Sequence, residues 1–182
     1  MRYKLKTHYK QILADTLTPV SVYLKIRDRF PNSILLESSD YRANDNTFSY
    51  ICCNPIAGIQ ISNEIITEFF PDGSQKQTPV DKETDVPQHI HQFSQKFEVD
   101  KNGFKFINNG LFGYMAYDAV RYYEDIDLEK KPGELGIPDV YYAVYQNIIA
   151  INHFKNEAYL FAHCYNSANN LEDLEQLLSV RT

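Results

Sequence analysis

Apolar and polar side chains alternate from Tyr3 to Leu13, with Tyr3, Leu5, Thr7 and Tyr9 on one side and Arg2, Lys4 and Lys6 on the other. That period of two predicts a half-buried strand. Thr18-Pro19 opens a helix, because Thr caps well and Pro at the first helical position loses no needed hydrogen bond. Val20, Tyr23, Leu24 and Phe30 give this helix its apolar face, and Pro31-Asn32 stops it. Ser33 to Ser38 reads as a short central strand, apolar on both faces, and Phe48 to Cys53 as another, broken by Pro55. Ile56–Ile61 and Glu64–Phe70 form a hairpin joined at Ser62-Asn63, and Pro71 to Ser74 is a turn.

Gln75 to Asp85 is polar and reads as a mobile segment. Pro87 to Phe97 is helical, with Ile90, Phe93 and Phe97 on one face. Asn-Gly pairs at 102–103 and 109–110 punctuate the chain before a strand from Leu111 to Tyr117, and Asp118 is placed to cap a short helix through Tyr123. Two long strands follow, Val140 to Asn152 and Glu157 to Tyr165, joined across Lys155-Asn156. The last helix, Asn169 to Leu178, carries a stripe of Leu171, Leu174, Leu177 and Leu178 that needs a surface to pack on. Strands interrupted by helices at irregular intervals predict an α+β fold with a largely antiparallel sheet.

Composition sharpens this picture. The 182 residues favour one sizeable core. Fourteen Tyr and eleven Phe, without a Trp, lean towards sheet faces. The net charge of −6, with acidic residues interspersed among basic ones, speaks against a nucleic-acid partner. Arg2, Lys4, Lys6 and Lys10 have the spacing of a strand's wet face. Three cysteines, two of them adjacent, do not make a secreted disulfide framework. No apolar run approaches the roughly 20 residues of a membrane span, and no signal-peptide pattern follows Met1. A soluble, cytoplasmic protein with no membrane partner is expected.

Catalytic chemistry is hard to find. The seven glycines form no phosphate-binding fingerprint. His89 and His91 lie on different sides of their helix, so they do not make a metal site. His163 and Cys164 are strand neighbours that point to opposite faces. Glu124, Asp125, Asp127 and Glu129 lack the turn glycine of a cation loop. No catalytic residue and no metal ligand is assigned.

Two segments carry more information. Ile34 to Asp40 is followed after a polar loop by Phe48-Ser49-Tyr50-Ile51. A buried strand and its partner explain them, but so does a ligand site. The Glu37 carboxylate and Ser38 hydroxyl at a strand end can hold a zwitterion, with Leu36 and Phe48 as an apolar wall. The second segment runs from Gly110 to Glu124, a strand-to-helix corner with a local Asp118–Arg121 pair.

Taken in order, Leu35 to Ser38, Phe48 to Tyr50, Gly113 to Arg121 and Pro138 to Tyr141 resemble the N-terminal region of anthranilate synthase component I. That family has a Leu-Leu-Glu-Ser strand, an aromatic-Ser-aromatic strand, a Gly-Tyr-x-x-Tyr-Asp-x-Val-Arg corner and a Pro-Asp-x-Tyr strand. The resemblance implies stacked, roughly orthogonal antiparallel sheets flanked by helices. It implies that residues 1–182 are an N-terminal regulatory domain. The C-terminal chorismate-binding domain, with its magnesium, would follow, and the Leu171–Leu178 stripe would face it. Family members convert chorismate to anthranilate with ammonia from a glutamine amidotransferase subunit. The fragment alone would be inactive and need no cofactor. L-Tryptophan, the feedback inhibitor, would sit at Leu36, Glu37, Ser38 and Phe48. Phe48 stands where some relatives have a basic residue contacting the inhibitor, a departure from the pattern. The sister enzyme aminodeoxychorismate synthase component I often lacks Glu-Ser after its Leu-Leu strand, so Glu37 and Ser38 favour anthranilate synthase. A non-catalytic amino-acid-binding module is the alternative from a different class.

Overall fold

The computed structural model describes residues 2–37, 47–124, 126 and 136–179. Among these residues nine strands and three helices follow in the order β1 (Tyr3–Leu13), α1 (Pro19–Arg27), β2 (Ile34–Leu36), β3 (Phe48–Ser62), β4 (Ile65–Phe69), β5 (Gln75–Pro79), α2 (Val86–Ser94), β6 (Phe97–Val99), β7 (Phe112–Met115), β8 (Val140–Asn152), β9 (Glu157–Cys164) and α3 (Leu171–Ser179). A short 3-10 segment, Tyr117–Tyr122, follows β7. The fold is α+β, as the strand pattern predicts. Chain length favours one core, yet the packing divides into two compact units. The first comprises Met1–Tyr3, Ile56–Glu98 and Leu111–Val144; the second comprises Lys4–Pro55, Val99–Gly110 and Tyr145–Thr182. The long strands β3 and β8 belong to both.

In the first unit β4 pairs antiparallel with the second half of β3 and with β5, while β7 pairs with the start of β8. The β3–β4 turn is Asn63-Glu64, both at positive φ, one residue later than the pattern suggests. Positive φ at both central residues makes the tight hairpin turn whose twist suits antiparallel strands. Polar Gln75–Pro79 turns out to be an exposed edge strand, which hydrophobic periodicity cannot reveal. Phe97 leaves the helical face assigned to it: α2 ends at Ser94, and Phe97 opens β6 with its ring stacked on Tyr3. Glu68, nearly fully buried, accepts from Lys96 at 2.7 Å, and the Lys96 ammonium lies 4.6 Å from the Phe70 ring centre. A charge this buried persists because it is paired.

In the second unit β1 pairs with β9, β9 with the end of β8, and β2 with the start of β3. Pro55 does not break β3. Asn54, at φ 60°, kinks the strand, and its side-chain amide donates to Gln146 Oε1 at 2.7 Å. The face carrying Ile51, Cys53, Ile149, Ile151, Leu160 and Ala162 packs on α1 and α3. Thr18 and Ser21 form a reciprocal cap at the start of α1. The buried side chains of α1 are Val22 and Ile26, spaced i to i+4, whereas Val20 and Leu24 are 50% and 42% exposed. The helix therefore presents a face rotated from the one its larger side chains suggest. Leu171, Leu174 and Leu178 are also buried in this core. The stripe expected to face another domain is spent here, each side chain contributing roughly 1.5–3 kcal/mol by leaving water. Asn147 and Asn170 exchange two hydrogen bonds that fix the entry to α3.

The other face is aromatic, with Tyr9, Tyr159 and Phe161 under Phe104 and Phe106. His163 closes this layer: its Nε2 lies 2.7 Å from the Asn108 carbonyl and its Nδ1 3.0 Å from Thr7 Oγ1. The Asn108 carbonyl can only accept, so Nε2 carries the proton and Nδ1 accepts from Thr7. Burial pulls the His163 pKa below its usual value. The unfolded chain therefore takes up this proton first as pH falls. The contribution of His163 to stability is full above about pH 6.5 and is lost as pH falls towards the lowered folded value. Urea midpoints measured from neutral to mildly acidic pH are expected to fall more steeply in the wild type than in His163→Gln. Parallel slopes would contradict this assignment.

Candidate functional site

The residues singled out for a ligand lie at the end of β2 and the start of β3. Leu36 pairs directly with Tyr50. Residues paired across an antiparallel ladder share a face, as do i and i+2 within a strand. Leu36, Tyr50 and Phe48 therefore line one face, the aromatic one. Leu36 is half-buried, and Glu37, just beyond the strand, is exposed. Phe48 is only 8% exposed: its ring stacks on Phe106 at 4.5 Å and on Tyr50 at 6.0 Å. Ser49 points the other way, with its hydroxyl 2.7 Å from His153 Nε2. Ser38 lies outside the described residues.

Tyr50 is held up in pKa by burial, against the effect of a main-chain hydrogen bond at Ile107. The segment carrying Phe106 and Ile107 thus grips the aromatic wall from above. Phe106 and Tyr159, 5.0 Å apart, extend that wall. The sequence reading passed over them, although the alternation of Phe104 and Phe106 around Lys105 is a period-two signal inside a segment read as punctuation. The arrangement is an aromatic cluster largely covered by Phe106, with the half-buried Leu36 and the exposed Glu37 at the end of β2 beside it in the chain.

The other motifs meet in the first unit. Arg121 Nη2 donates to Asp139 Oδ2 at 2.6 Å, and the Tyr122 hydroxyl donates to the same oxygen at 2.9 Å. Burial, reinforced by that bond, pushes the Tyr122 pKa up to about 12. The pair expected between Asp118 and Arg121 is replaced: Arg121 reaches only the main-chain carbonyl of Asp118, at 3.1 Å. The carboxylate that bonds Arg121 comes from the Pro138-Asp139 strand, and Asp118 acts on Arg121 through its charge. Asp118 does not cap either; the residue before the 3-10 segment is Ala116, with no side-chain bond. Ala116 N–H donates to the Asp139 carbonyl and Asp139 N–H to the Ile61 carbonyl, which docks the corner on β3 and β8.

Cys52 and Cys53 are buried, which raises both thiols, Cys53 to about 12. His163 and Cys164 face opposite sides, one in the aromatic layer and one in the core under the helices. Among the described residues no three His, Cys, Asp or Glu side chains gather as metal ligands. Asp125, Asp127 and Glu129 of the acidic cluster lie outside the described residues. Among those described, no helix is long and apolar enough to cross a membrane.

The profile of the chorismate binding enzyme family matches residues 37–181. Anthranilate synthase component 1 of Lactococcus lactis is 29% identical over 84% of this chain and 31% of the relative. The Thermus thermophilus protein of the same name is 27% identical over 87% of this chain and 32% of its own length. That of Pseudomonas putida is 32% identical over 78% of this chain and 28% of its own. The chain thus spans about a third of the length of these relatives. A crystal structure of anthranilate synthase component I from Streptococcus pneumoniae superposes with a TM-score of 0.50, at 22% identity, over 93% of this chain and 35% of that one. At that identity the superposition speaks to fold alone.

Gly113 tests the corner. A Cβ on it would fall 1.9 Å from the Tyr141 carbonyl oxygen, a main-chain atom that cannot step aside without moving β8. Gly113→Ala is expected to destabilise the protein by at least the roughly 1–3 kcal/mol of an overpacked core, measured by urea unfolding. A change within about 0.5 kcal/mol, the range of a neutral surface substitution, would contradict the geometry.

Proposed function

The chain belongs to the chorismate-binding enzyme family, and we propose that it is the N-terminal, effector-binding part of an anthranilate synthase component I. On this reading the whole subunit converts chorismate and ammonia to anthranilate. Chorismate and magnesium belong to a C-terminal catalytic domain, and the ammonia to a glutamine amidotransferase subunit. This part binds L-tryptophan as feedback inhibitor, in the cytoplasm, and does no chemistry alone.

One observation carries the proposal: the Leu36–Tyr50 register, which puts Leu36 on the same face as Tyr50 and Phe48, with the exposed Glu37 next in the chain. The exposed Glu37 carboxylate takes the amino acid's ammonium, and the Ser38 hydroxyl donates to its carboxylate. The indole lies against Leu36 and the edge of the Phe48–Tyr50 stack. Feedback inhibition then needs a difference in tryptophan affinity between two states of the whole subunit, typically a coupling of about 1–3 kcal/mol. Phe48 in place of a basic residue takes one charged contact away from the inhibitor.

The chain has no Trp, so indole fluorescence reports on the ligand. Titrating the chain into L-tryptophan is expected to give saturable anisotropy, little competition by L-phenylalanine, and at least about tenfold weaker binding in Glu37→Gln and Ser38→Ala. Binding unaffected by both substitutions, or none to either this chain or the full-length subunit, would overturn the proposal.

A further inference from the structure

The outer edge of β1 is built to pair. Ala14 N–H donates to the Asn156 carbonyl at 2.8 Å, and β1 and β9 continue in that register from Leu13↔Glu157 to Lys6↔Cys164. In an antiparallel ladder only alternate residues exchange main-chain bonds with a given neighbour. Even-numbered residues of β1 therefore bond to β9, while Thr7, Tyr9, Gln11 and Leu13 turn their N–H and C=O groups outward. β6 pairs with the start of this edge, and the Thr7 N–H is taken by the Asp100 carboxylate at 3.0 Å. Among the described residues, Tyr9, Gln11 and Leu13 are then left as an open edge three bonding residues long. Two large apolar side chains stand on it, Tyr9 at 58% exposure and Leu13 at 77%.

Open edges are commonly guarded by lysines. Here the guard is turned away: Lys10 points towards the helix side, where its ammonium is paired with Glu175 of α3.

We infer that this edge is a self-association surface on which β1 of a second copy adds antiparallel, centred on Gln11. Outward-facing residues must pair with outward-facing ones, so the two-fold axis passes either between two of them or between two of the residues that bond to β9. Centring on Gln11 is the choice that places all three open positions in register, and centring on Lys10 would set two ammonium groups directly opposite. Gln11 faces Gln11 of the other copy, and Tyr9 faces its Leu13, each pair exchanging two main-chain hydrogen bonds. The two exposed apolar side chains then cover one another, with an aromatic against an aliphatic neighbour. On the opposite face Lys10 lies across from Ile12, so no like charges are placed directly opposite. Beyond the paired stretch, exposed Lys6 of one copy lies towards exposed Asp15 of the other, a complementary charge. A pairing this short buries less than a standard interface, so the association is weak and depends on concentration.

Sedimentation equilibrium of the chain, from low micromolar to near-millimolar concentration, tests this. The weight-average mass is expected to rise from one chain towards two. Gln11→Pro removes the central outward N–H without touching the bonds to β9, and Leu13→Lys places a charge against Tyr9. Each is expected to weaken dimerisation by at least about tenfold while far-UV circular dichroism stays unchanged. If Gln11→Pro perturbs the fold, Leu13→Lys decides alone. A monomer at every concentration, or a dimer that Leu13→Lys leaves intact, would overturn the inference.

Discussion

The main chain of β8 is the constraint on which the rest depends. From Val140 to Asn152 all but two of its side chains are buried, so it has to satisfy its backbone bonds through neighbouring strands. β7 and β9 bond to it, β3 lies beside it, and β1, β2 and β4 attach through those neighbours. Its few polar side chains then dictate local detail. Gln146 and Asn147 are buried amides that must find partners. They find them in Asn54, in the Ala168 carbonyl and in Asn170. The kink in β3 and the start of α3 are consequences of that demand.

Much of this was legible from periodicity. The strands at Tyr3–Leu13, Val140–Asn152 and Glu157–Cys164 were readable because each has a strong pattern over many residues. The Thr18 cap was readable because its chemistry is local. What stayed hidden depends on distant partners. β5 is polar and is a strand because β4 is beside it. Phe97 fits helical spacing as well as it fits a strand, and its stacking on Tyr3 decides the matter. β3 runs through Pro55 because Asn54 absorbs the irregularity at positive φ. The buried face of α1 is set by the fit of Val22 and Ile26 to the sheet, a choice that side-chain size does not betray.

At the candidate site the split is similar. The strand carrying Leu36 and Glu37 and its aromatic partner were visible as motifs, but Phe106 and Tyr159 join them only through folding. The Gly113–Arg121 and Pro138–Tyr141 motifs prove to be one structural corner, joined by the Arg121–Asp139 pair and by Gly113 lying flat against Tyr141. That corner accounts for Gly113, Arg121 and Asp139 without chemistry.

On the proposed reading, this end of β2 receives an amino acid. Amide hydrogen exchange followed by mass spectrometry, with and without saturating L-tryptophan, tests it. Slowed exchange is expected in peptides spanning residues 34–50 and 104–107, with unchanged exchange in α3. Protection confined to other segments under saturating ligand would contradict it.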